Sequence, residues 1–382
     1  MTGAYYPEIS AAGVQCRAAA SALRGRAVLS VLATAVNPAL PRAEVVDGIP
    51  VRRVIVNVSS RASKAVATVR MVRELLQSAG SCDIIHVHGF SQKNVPVSIV
   101  ARLLGKRLVL TLHTSGQDEP DVVKRQGAVA YWAFRSADLV LSVSHDLKAR
   151  CCDARLPADR IRVAPNGIDT ERFRPADREE RAALRRALGW PATEPVVLFV
   201  GFFSRDKRPD LLFRAWRRLG ADGIRPRLAF VGAKRSAYYE IDQALADRIA
   251  RDAADLGRAG DVIWIEPTTD VERCFRAADA FVLPSVREAH PLALLEAMAC
   301  GLPCAATRIA GATDVLITDG QNGRLFPADD EAAAAEALRD ILTNEERALA
   351  MGARARETVL ERYDIRRTAG EWLSAYETVM QT

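Results

Sequence analysis

Short, nearly all-apolar runs alternate along this chain with longer stretches whose apolar positions recur every three to four residues. The runs at 27–35, 51–57, 83–87, 107–112, 139–143 and 161–164 read as strands of a first half, and those at 196–200, 228–231, 262–265, 280–283 and 304–306 as strands of a second. Between them, 63–78 and 122–135 carry helical periodicity, and 331–361 is mostly helical. Strands alternating with helices predict a parallel α/β sheet in each half. Pro165, Pro175 and Pro191 punctuate the passage between the halves, and no repeat or low-complexity segment interrupts the pattern.

Residues 280–284 are short, apolar and proline-ended, as a buried strand should be; Pro291 suits a first helical position, and Gly301 with Pro303 suits a helix end. That places Glu288 in a loop and Glu296, eight positions on, inside a helix. A helix start offers unpaired backbone N–H groups and the positive end of the dipole to a phosphate, and flanking carboxylates accept hydrogen bonds from sugar hydroxyls. Phosphate plus polyol points to a nucleotide sugar. The pair by itself is weak, because an ordinary loop acid and an ordinary helix-surface acid arise easily at any spacing.

Other segments agree with it in order. Residues 5–15 (Tyr-Tyr-Pro-Glu-Ile-Ser-Ala-Ala-Gly-Val-Gln), 83–89 (Asp-Ile-Ile-His-Val-His-Gly), 110–114 (Leu-Thr-Leu-His-Thr), 163–169 (Val-Ala-Pro-Asn-Gly-Ile-Asp) with Phe173 and Pro175, 197–207, 279–285 and 320–327 span essentially the whole chain. Together with the Glu-x7-Glu stretch they resemble the retaining glycosyltransferases of family 4. The resemblance implies an α/β GT-B fold, two facing Rossmann-like domains with parallel sheets and an interdomain cleft. It implies an N-terminal acceptor domain at 1–175, onto which a C-terminal helix at about 364–382 packs back, and a donor domain at 190–363. The activity implied is metal-independent hexosyl transfer from a nucleoside-diphosphate sugar to a saccharide or lipid-linked acceptor, with envelope polysaccharide or glycolipid synthesis as the expected use.

The resemblance also assigns roles. Glu296 is expected to hold the ribose, Glu288 the donor sugar, and Lys207 with the Leu292 and Ala293 amides the diphosphate. A fixed cation there stabilises the leaving group as it gains charge. Gly201 opens the phosphate loop, and Phe202 replaces the usual arginine after it, leaving Arg205 as the candidate to supply that charge. Gly13 matches the second glycine of a Gly-Gly turn, with Ala12 in place of the first. Pro267 stands in the base-binding loop where a glycine is common. His113 matches a sugar-facing histidine and is grouped with Glu288 as catalytic; His88 stands equally between structural and cleft roles; Asn166 shapes the cleft; His290 lies where backbone amides usually meet the sugar. His86 and His145 read as structural. No Asp-x-Asp triplet or His/Asp/Glu cluster suggests a metal, so neither metal nor other cofactor is expected. In that family the first loop follows a buried strand, which Met1 to Ala4 barely leaves room for; the expectation is a chain start incomplete upstream, or a sheet without that strand.

Composition adds little. With 49% hydrophobic and 26% charged residues the chain is globular, and its longest apolar stretch, 27–36, is too short to span a bilayer. No signal peptide pattern opens it, so a cytoplasmic location is expected. Seven cysteines without a Cys-x2-Cys pair fit reduced, inert thiols. The net charge of +6 comes from 53 basic against 47 acidic residues, a mixed surface with no indication of nucleic-acid binding. The basic stretch 52–73 reads first as a solvated helix face, and secondarily as peripheral contact with anionic lipid at the inner face of the plasma membrane. Two readings from other classes remain beside transfer: a catalytically inactive GT-B binder of nucleotide or carbohydrate, and a GT-B epimerase or phosphorylase. A Rossmann oxidoreductase is disfavoured, since no strand leads into Gly-x-Gly-x-x-Gly with an acid about 20 residues on.

Overall fold

The computed structural model describes residues 1–221, 223–234 and 241–381. The chain divides into two compact units, Met1–Gly167 with Ile365–Thr382, and Ile168–Asp364. The boundary expected at residue 175 therefore lies earlier, because Ile168 and Phe173 are buried in the apolar core of the second unit with Phe275 and Tyr363. The closing segment is the helix Ile365–Gln381, with Thr382 outside the described residues. Its Trp372, Ala375 and Val379 share a core with Ala19 and Leu23 at the first helix, Ala11–Ala22.

The first unit contains β1 (Val31–Ala35), β2 (Ala43–Val46), β3 (Ile49–Ile55), β4 (Ile84–His88), β5 (Arg107–Leu112), β6 (Leu139–Ser142) and β7 (Ile161–Val163). One sheet runs β1-β3-β2 and another runs β4-β5-β6-β7. Met1 and Thr2 lie between them: Thr2 bridges Ala33 of β1 in parallel, and the His88 amide of β4 donates to the Met1 carbonyl at 2.9 Å. These two residues occupy the place of the expected first strand. The chain thus proceeds from Met1–Thr2 to β1 and β3 on one side, and returns to β4 on the other. That reversal opens a crevice at the strands' carboxyl ends, where open α/β sheets bind ligands.

Hydrophobic patterning overlooked β2, which pairs antiparallel with β3. Its signal was local: Asp47 and Gly48 both take positive φ, 51° and 77°, the two-residue Asp-Gly turn whose twist matches a hairpin. The helix expected at 122–135 is two, Pro120–Arg125 and Ala128–Arg135, parted by Gly127 at φ 116°. The basic stretch 52–73 does not form one face. Arg52 and Arg53 belong to β3, Arg52 pairing with Glu74 and the buried Arg53 with Glu44; the remaining cations sit on the helix Arg61–Ser78, which buries Ala67, Met71 and Leu75.

The second unit contains β8 (Val196–Val200), β9 (Arg227–Val231), β10 (Val262–Ile265), β11 (Ala280–Leu283), β12 (Cys304–Thr307) and β13 (Arg324–Phe326), ordered β10-β9-β8-β11-β12-β13 and parallel throughout. β8, β9, β11 and β12 are almost wholly buried, which explains their unbroken apolar runs. Here the reversal falls between β8 and β11, so their loops are the ligand position. A helix the periodicity did not single out, Arg178–Leu188, is fastened by buried Arg185: its Nε donates to the Ala277 carbonyl at 3.0 Å, and its guanidinium pairs with Asp279, which also accepts the Val196 amide at 2.7 Å.

Candidate functional site

In the second unit the loops after β8 and β11 are joined three times. The Val286 amide donates to the Asp206 carbonyl at 2.8 Å, Arg287 pairs with Asp206, and Lys207 Nζ meets Glu288 Oε1 at 2.6 Å. Glu288 is 8% exposed and Lys207 31%, so the acid is enclosed while the ammonium keeps a route to solvent. Burial strengthens such a pair and makes either member costly to leave alone. Residues 81 apart in sequence thus form one charged unit at the switch point.

Just beyond Glu288 the helix Leu292–Ala299 begins with Pro291 as its N-cap, one position earlier than its expected place as first helical residue. Proline has no side chain able to cap, so the first-turn amides of Leu292 and Ala293, both only partly buried, remain outward for an anion. Glu296 lies deeper in the same helix and is buried; desolvation pushes its carboxyl up to about 8, against the pull of Arg172 and with the push of Glu272. A neutral carboxyl both donates and accepts, which suits a diol such as ribose. Because the folded pKa lies above the unfolded one, Glu296 contributes stability below about pH 4.3 and loses it as pH rises through about 8. The melting temperature of the parent is therefore expected to fall, relative to Glu296→Gln, by about 3 °C or more between pH 5 and pH 8.5; parallel melting curves across that range would remove the raised pKa.

The other donor-side candidates separate. Gly201 directly follows β8, its amide donating to the Val231 carbonyl at 3.0 Å, and partly buried Phe202 comes next. Arg205, the candidate for the charge that Phe202 lacks, has its side chain 91% exposed, with Asp242 at 3.8 Å. Exposed pairs contribute about 0–1 kcal/mol, so Arg205→Ala is expected to change donor KM less than about threefold in steady-state assays. Pro267 is exposed on the loop following β10. His290 is buried with its ring against Tyr363, centroids 5.2 Å apart, and desolvation, then Arg362, draw it down to about 3. Its imidazole is therefore neutral at neutral pH.

In the first unit, His88 ends β4 and His113 follows β5. His88 Nδ1 and His113 Nε2 are 3.0 Å apart, so one ring donates to the other. Burial keeps both neutral, drawing His88 well below its ordinary value and His113 to about 4, with the buried Asn166 side chain pulling His113 the other way. His86 bonds Tyr376 at 2.7 Å and Thr111 at 2.6 Å, a structural role. Asp118 was missed by the sequence reading. It accepts the amides of Phe90 (2.7 Å), His113 (2.7 Å) and Thr114 (2.9 Å), holding the loops after β4 and β5 together. Only an acid five positions beyond His113 hinted at it. Gly13 lies in the first helix, where a Cβ would run into the Ala4 carbonyl; internal packing accounts for this glycine without a phosphate.

The family model for glycosyl transferases group 1 matches residues 180–358, and that for glycosyltransferase family 4 matches 12–172. D-inositol 3-phosphate glycosyltransferase of Stackebrandtia nassauensis is 32% identical over 324 residues, 81% of this chain and 71% of that protein. D-inositol 3-phosphate glycosyltransferase 1 of Catenulispora acidiphila is 30% identical over 86% of this chain and 81% of its own length. Among solved structures, Anabaena HepE in complex with UDP and glucose superposes with a TM-score of 0.79 at 18% identity, covering 98% of each chain.

Proposed function

Because this chain belongs to the GT-B glycosyltransferases of family 4, we propose that it transfers a sugar, with retention of configuration and without a metal, from a nucleoside-diphosphate sugar held by its second unit to an acceptor held by its first. The observation that carries this reading is the Lys207–Glu288 pair at the β8/β11 switch point, followed by an uncapped helix start and buried Glu296. In this reading Lys207 and the Leu292 and Ala293 amides neutralise the diphosphate, Glu288 bonds sugar hydroxyls, and Glu296 bonds the ribose. In the reaction the anomeric C–O bond to the diphosphate breaks and the acceptor oxygen bonds the anomeric carbon. The acceptor hydroxyl proton passes to an oxygen of the departing nucleoside diphosphate. Charge developing on that leaving group is met by a cation already in place, so the interaction grows towards the transition state.

UDP-glucose is the first donor to test, since UDP and glucose are bound in the similar Anabaena structure, and D-inositol 3-phosphate the first acceptor, from the names of the similar proteins. Calorimetric titration with nucleoside diphosphates, followed by transfer assayed by NMR of the product anomer, tests the reading. Nucleotide binding with retained anomeric configuration in the product supports it. Binding with neither hydrolysis nor transfer would replace it with the inactive binder, and an inverted product would remove retention.

A further inference from the structure

The two units share a geometrical feature but not its electrostatics. Each has a lysine on the loop after a strand flanking its switch point: Lys207 beyond β8, and Lys93 beyond β4, where Met1–Thr2 and β4 adjoin. Lys207 is neutralised by Glu288. Lys93 has no carboxylate partner among the described residues. Its Nζ donates to Thr34 Oγ1 at 3.1 Å and lies over Gly3, within 3.5 Å of where a Cβ there would stand. The Thr34 hydroxyl spends its own proton on the Gly3 carbonyl. An ammonium carries three donors, so two are left for a ligand. The side chain keeps some access to solvent, yet protein atoms crowd it enough that desolvation pulls its pKa down to about 8.

A desolvated cation without a counter-ion is unfavourable in the free protein, and an anion would remove that cost. We propose that Lys93 is the anion-binding residue of the first unit and that its ligand is the phosphomonoester of a phosphorylated polyol or sugar acceptor. Thr34 and the bare backbone of Gly3 fix the ammonium at the crevice mouth. The proposal rests on the reading of this chain as a transferase whose acceptor belongs to the first unit. The second source of the same chemistry is the donor diphosphate.

Binding to the full chain without donor separates these possibilities. Titration of D-inositol 3-phosphate, myo-inositol, inorganic phosphate and UDP into the parent, Lys93→Met and Lys93→Arg is the test. The parent is expected to bind the phosphorylated polyol at least about 10-fold more tightly than myo-inositol, and Lys93→Met to lose about 10- to 100-fold of that affinity while keeping UDP affinity within about threefold. Parent affinity is expected to fall as pH rises through about 8 and that of Lys93→Arg to stay level. Should Lys93→Met fail to fold, the arginine comparison carries the test alone. Unchanged affinity in Lys93→Met, a level parent profile, or a loss confined to UDP would each overturn the assignment. Intact Lys93-dependent binding with neither hydrolysis nor transfer from a panel of nucleoside-diphosphate sugars would instead sink the transferase reading and leave this site standing.

Discussion

Lys207→Met is expected to lower kcat for glycosyl transfer by about 10²- to 10³-fold while changing nucleotide affinity far less. The reason lies in when its charge matters. In the free protein the ammonium is satisfied by Glu288 at 2.6 Å, so donor binding gains little that the protein did not already hold. As the bond to the diphosphate breaks, charge accumulates on the leaving oxygen, and a cation fixed by that same carboxylate needs no reorganisation to meet it. Methionine keeps the length and apolar stem of the side chain and removes only the charge. Steady-state kinetics with a calorimetric measurement of UDP binding would check it. A rise in KM with kcat unchanged would show that Lys207 contributes uniform binding only.

Glu288→Gln is expected to lower turnover by about 10²-fold with UDP binding largely intact. The amide keeps shape and one acceptor oxygen but loses the charge that both orients Lys207 and strengthens hydrogen bonds to a sugar hydroxyl, and bonds to a charged group contribute about 1.5–3 kcal/mol. Since the two residues touch, their effects should not add. In the double variant Lys207→Met/Glu288→Gln, the loss should fall well short of the product of the single losses. Strict multiplication would mean that the pair seen in the structure has no part in the reaction. Glutamine at 288 with unchanged turnover would remove the sugar-side role altogether.

Much of the second unit was legible because its elements are locally coded. β8 and β11 fall where unbroken apolar runs of four or five residues put them, since parallel strands buried on both faces leave no polar position to blur their limits. The Glu288-to-Glu296 stretch was legible for the same reason, with a proline and a glycine marking the ends of its helix. The first unit was less so. β2 is short and edge-like, and Met1–Thr2 makes a strand's contacts with too few residues to show a pattern. The role of Asp118 depends on three backbone amides from two loops, and nothing in its neighbourhood in sequence announces them.

The sequence by itself determined the alternation of strands and helices, the helix start after Glu288, and the lysine and carboxylates that mark a family, because each is written in adjacent residues or in short motifs. Tertiary structure decided what those groups do to one another. It brought Lys207 to Glu288, turned Arg205 out to solvent, joined His88 to His113, buried Glu296 until its carboxyl prefers its proton, and set Lys93 against Thr34 with no carboxylate partner among the described residues. Charge state and pairing depend on distance and burial, which local sequence does not encode, so the chemistry of these residues was settled only when the sheets had set their loops side by side.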